Sequence, residues 1–90
     1  MSASSNESLL VFPCDFPIKA MGAAAQDFVD VVVGIMRNHV PAEDIGSVEV
    51  RDSRGGRYLS VTVTIRARSR PQLDAIYREL SAHARILMAL

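Results

Sequence analysis

Ninety residues, 49% hydrophobic and 22% charged, make one small globular domain and exclude both a disordered chain and a second core. Ten Lys and Arg balance ten Asp and Glu, so no net field draws the chain to nucleic acid or to an anionic membrane. A single cysteine excludes an internal disulfide framework and any multi-cysteine metal cluster.

Met1 to Ser8 are small and polar, carrying one charge, Glu7. With so little to bury, residues 1–8 are expected to be a flexible N-terminal segment, and residues 9–90 the single domain. No basic stretch precedes an apolar one, as a secretory signal would require, and no run approaches the roughly 18 apolar residues of a membrane helix. The expected location is therefore cytoplasmic, with no membrane partner.

Phe16, Ile18 and Ala20 alternate with Pro17, Lys19 and Met21, a strand pattern that Gly22 is expected to end. Phe28, Val31, Val32, Ile35 and Met36 share one helical face. Asp27 and Asp30 near its start and Arg37 and His39 near its end suit the helix dipole, and Pro41 stops it. The valine triplet at 31–33 favours a strand locally, but the sustained helical period predicts a helix over about 24–39.

Val48 and Val50 give a weaker strand. Ser53-Arg54-Gly55-Gly56 then supplies a turn whose glycines permit positive φ. Leu59, Val61, Val63, Ile65 and Ala67 alternate with Ser60, Thr62, Thr64, Arg66 and Arg68, a strand with one dry and one wet face. Ser69-Arg70-Pro71-Gln72 fits a capping box, with Gln72 reaching back and Pro71 tolerated in the first turn. Leu73, Ile76, Tyr77 and Leu80 form the buried stripe of the second helix, and Asp74 with Arg78 an exposed pair. At the C-terminus Ile86, Met88 and Leu90 alternate with Arg85, Leu87 and Ala89 as a last strand. The order predicts an α+β, ferredoxin-like βαββαβ sandwich: a four-stranded antiparallel sheet with both helices on one face. The Ile18 and Val61 strands take the centre and the Val48 and Met88 strands the edges.

Three separated stretches resemble the YbeD-like family of small bacterial proteins. They are Phe12-Pro13-Cys14-Asp15-Phe16-Pro17-Ile18-Lys19-Ala20-Met21-Gly22, the Ser53 to Ile65 hairpin, and Arg85-Ile86-Leu87-Met88-Ala89-Leu90. Gly56 stands as an extra hairpin residue against that pattern. The resemblance covers Leu9 to Leu90. It implies an ACT-like ferredoxin fold and a regulatory role with a lipoate-related small molecule as ligand, and it supplies no catalytic residue.

Cys14 lies between prolines with no basic neighbour in sequence to activate it. His39 and His83 close helices, where a dipole-compatible solvent histidine is commoner than a base. Glu43 and Asp44 read as a loop doublet. No ligand spacing for a metal and no cofactor motif occurs, so no catalytic residue, metal or cofactor is expected. The expected partner is a small metabolite or a protein.

For a small anion the candidate corner is Met21, Gly22 and Ala23, where glycine lets a ligand approach the N–H groups of the following helix. The competing reading of Gly22 is a tight turn. For self-association as a homodimer, the candidates are Leu87 and Ala89, expected to be exposed on the terminal edge strand unless Leu9-Leu10-Val11-Phe12 of the same chain covers them. The alternative function is an RRM-like single-stranded RNA-binding module. It is disfavoured because Tyr58 is the one aromatic with open-face parity, among Arg51, Arg66 and Arg68.

Overall fold

The computed structural model describes residues 10–90; the expectations for Met1 to Ser8 and for Leu9 lie outside the described residues. The elements are β1 (Cys14–Ala23), α1 (Phe28–Arg37), β2 (Ile45–Asp52), β3 (Tyr58–Ala67), α2 (Arg70–Ala82) and β4 (Met88–Ala89). Short 3-10 turns occupy Ala42–Asp44 and Arg54–Gly56. The strands form one antiparallel sheet in the order β2-β3-β1-β4, the ferredoxin-like arrangement. No helix among the described residues is long and apolar enough to cross a membrane.

The period-2 pattern of β1 and β3 sets their register. Ile18 opposes Val63 and Ala20 opposes Val61, so both strands turn the same apolar face inward. Phe28, Val32, Ile35 and Met36 of α1 and Leu73, Ile76 and Leu80 of α2 close over that face, with Val40 and Ile86 filling its margins. Each large aliphatic side chain buried this way contributes about 1.5–3 kcal/mol, and they dominate the stability of so short a chain. The valine triplet is helical, as its period requires.

Several boundaries differ from the sequence expectation. Gly22 does not end β1: the strand runs to Ala23, and the Ala24 N–H still donates to the Arg57 carbonyl. The helix therefore starts at Phe28 rather than near Ala24. The capping box is stretched, because Ser69 Oγ accepts from the Gln72 N–H while Gln72 Oε1 accepts from the Arg68 N–H, one residue earlier than the motif predicts. Asp74 pairs with Arg70 at 3.5 Å rather than with Arg78. In the hairpin, Gly55 and Gly56 do take positive φ, 84° and 71°.

The last strand is the largest correction. Both the Leu87 N–H, which donates to the Met21 carbonyl, and Met88 oppose Met21, two residues against one. Such a bulge slips the alternation by one. Ala89 consequently opposes Ala20 and packs against the core, while Met88 and Leu90 are exposed together with Leu87. Of the segment proposed to cover this strand, Val11 is exposed and Phe12 packs against the core.

Candidate ligand-binding site

Among the described residues no helix covers the second surface of the sheet, and the register fixes what stands on it. Lys19 opposes Thr62, which opposes Glu49; Met21 opposes Ser60, which opposes Arg51; and Ala23 opposes Tyr58. On the β4 side, Met88 stands beside Met21 and Leu90 beside Lys19. At the hairpin end of this surface lies a recess of about 220 Å³, lined by Lys19, Met21, Arg51, Ser53, Tyr58 and Ser60 among others. Its walls are therefore part apolar, from the thioether and the phenol ring, and part charged, with two cations, Lys19 and Arg51, against one acidic lining residue, Asp52.

Three other arginines of the fold are already engaged. Arg66 lies 3.7 Å from Asp15, Arg68 grips Asp44 with two bonds of 2.9 and 3.0 Å, and Arg85 grips Asp27 with bonds of 2.7 and 2.8 Å. Neither Lys19 nor Arg51 has an acidic partner among the described residues. Positive charge without an internal counter-ion, beside apolar wall, is the chemistry that holds a carboxylate carrying an apolar body. The opposite end of the surface has a larger hollow of about 330 Å³ flanked by Asp15, Glu43 and Asp44. Two of those three carboxylates are taken up by Arg66 and Arg68, so that hollow presents mostly satisfied charge.

Of the sequence-level candidates, the structure places Met21 in the recess but not Gly22 or Ala23 beside it as a corner. All three lie inside β1, paired with Ser60, Leu59 and Tyr58, and the link to α1 is made by residues 24–27. The space at Gly22 is filled: a β-carbon there would meet the Phe28 ring and the Arg85 carbonyl. That close approach, within a strand rather than a turn, accounts for the glycine. At the first turn of α1, Asp27 already receives the Arg85 guanidinium, which holds its carboxyl below the usual aspartate range. Leu87 is 64% exposed on the terminal segment, whereas Ala89 faces the core.

The titratable candidates have structural partners. His39 Nε2 sits 2.6 Å from Glu79 Oε1, and Asn38 Nδ2 donates to Glu79 Oε2, so the end of α1 is tied to α2. His83 Nδ1 accepts from the Arg85 N–H. Asp44 is not a solvated loop residue. It is buried at 6% exposure, and Arg68 lowers its pKa through the paired hydrogen bonds. Arg68 is accordingly engaged by this carboxylate. Cys14 is half-buried against the core. Among the described residues, no three His, Cys, Asp or Glu gather as a metal would need.

Sequence reasoning put Lys19 and Arg51 on the outward face but missed their convergence. The available signal was parity: Lys19, Met21, Ser60 and Tyr58 all fall on wet positions of the two central strands. The lateral distance between them depends on register, which parity alone leaves open.

A profile of the family described as "Protein of unknown function (DUF493)" matches residues 7–90. A UPF0250 protein of Paraburkholderia phytofirmans is 48% identical over 88 residues, spanning 98% of this chain and 99% of its own. One from Nitrosomonas europaea is 48% identical, spanning 96% and 99%, and one from Bordetella pertussis is 44% identical, spanning 93% and 92%. Agreement over nearly the whole of each chain extends the three-motif resemblance to the full fold, and the chain belongs to the DUF493 family, the YbeD-like group of small bacterial proteins.

Proposed function

We propose that this chain is a non-catalytic regulatory module whose open sheet face binds a small carboxylate with an apolar body. The observation that carries the reading is the recess at the hairpin end, where Lys19 and Arg51, both without a carboxylate partner among the described residues, flank Met21 and Tyr58. The cations take the carboxylate, and Met21 with the exposed Met88 and Leu90 beyond it offers a track for an aliphatic tail. Octanoate and lipoate are the members of this class to try first, since a medium-chain acid matches a charged head followed by an apolar strip.

The test is titration of the full chain with octanoate and with lipoate, followed by amide chemical shifts. Wild type is expected to shift at Lys19, Met21, Arg51 and Tyr58. Lys19→Glu removes a charge-assisted bond worth about 1.5–3 kcal/mol, so affinity should fall tenfold or more. No shifts on the open face, or shifts that Lys19→Glu leaves intact, would remove the site. The RNA-binding alternative predicts instead a salt-dependent affinity for a single-stranded oligonucleotide, lost in Tyr58→Ala. It is the weaker reading, because base stacking on a sheet uses two or three rings and Tyr58 stands alone among the described strand residues of that face.

A further inference from the structure

β2 is an edge strand of the sheet, and among the described residues no strand pairs with its outer side. Ser53 N–H donates to the Tyr58 carbonyl, so by the alternation of an antiparallel ladder the odd residues of β2 bond to β3. Val48, Val50 and Asp52 therefore turn their backbone N–H and C=O groups outward. Glu49 and Arg51 stand on the open face, opposite Thr62 and Ser60, and neither has an ionic partner among the described residues. Val48 and Val50 point to the helix side yet remain 40% and 47% exposed, because the helices do not reach the sheet margin.

We infer that two copies of this chain pair β2 to β2, antiparallel about a two-fold axis at Val50, into one continuous eight-stranded sheet. Three neighbouring registers use the outward backbone groups. Centring on Glu49 opposes two glutamates, and centring on Arg51 opposes two arginines. Centring on Val50 sets Glu49 of each copy against Arg51 of the other on the open face, and on the helix side Val50 against Val50 with Val48 opposite Asp52. Opposite-charge cross-strand pairs are favourable and like-charge pairs are not, so charge selects the third register. A two-fold contact of this kind closes on itself and leaves β2 no edge for further addition. β4 is a poorer seam, being two residues long with a bulge before it. Arg51 also borders the ligand recess, and its five N–H donors serve both contacts.

Sedimentation of the full chain over a concentration series tests this. Wild type is expected to be a dimer. Glu49→Arg and Arg51→Glu, both at exposed positions, should each raise the dissociation constant about tenfold or more by replacing two attractive cross-strand pairs with two repulsive ones. Mixing the two variants should restore a dimer, because each cationic strand then meets an anionic one, and Lys19→Glu should sediment as wild type does. A wild type that stays monomeric throughout, or single variants that dimerise as it does, or a mixture that fails to recover, would overturn the proposal.

Discussion

At Gly22 the nearest neighbours in space, the Phe28 ring and the Arg85 carbonyl, come from α1 and from the segment before β4. A sequence shows the glycine but not what approaches it, and both a ligand corner and a tight turn were reasonable expectations. The structure turns this into a packing statement. Gly22→Ala should overpack the site and cost about 1–3 kcal/mol, seen as a thermal midpoint lowered by roughly 4–8 °C for each kcal/mol lost. A midpoint equal to wild type would mean that the ring and carbonyl give way freely. Asp44 shows the same limit. Its adjacency to Glu43 suggested a solvated doublet, but the reach of Arg68 from the far end of β3 buries one member and leaves the other exposed.

For whole elements, sequence and structure agree where one period runs long enough. β3 alternates over ten residues and α1 keeps a helical stripe through its valine triplet, and both form as the pattern requires. The failures are at ends. Ala23 to Ala25 suit a helix by propensity, but the sheet claims Ala24 through Arg57, and a local preference of a few tenths of a kcal/mol does not compete with a continued ladder. In β4 the bulge at Leu87 and Met88 inverts the faces, and five residues of alternation contain no sign of it. α1 also carries Gly34, an interior helical glycine whose absent β-carbon would meet nothing within 4 Å. Gly34→Ala should therefore stabilise the fold by about 0.5–1 kcal/mol, by removing unfolded-chain freedom without new crowding. Urea unfolding should show a higher midpoint at unchanged slope; a lower midpoint would mean that the α1 surface at Gly34 is occupied in solution.

Across the molecule, two bidentate ion pairs tie elements that the chain separates widely. Arg68, after β3, holds Asp44 in the turn before β2; Arg85, before β4, holds Asp27 at the start of α1. Both carboxyls are held below the ordinary aspartate value, chiefly by the guanidinium hydrogen bonds. A carboxyl whose folded-state pKa is depressed binds protons less readily folded than unfolded. Its contribution to stability is thus complete above the unfolded value, about 3.9, and is lost as pH falls through the lower folded value. Asp27→Asn with Asp44→Asn keeps the side-chain shape and an acceptor while removing the charge. The double variant should melt below wild type at neutral pH, and the gap should close as pH drops well under about 3.9, where wild-type carboxyls are themselves protonated. A gap that persists undiminished into acid would show that shape rather than charge holds these elements together.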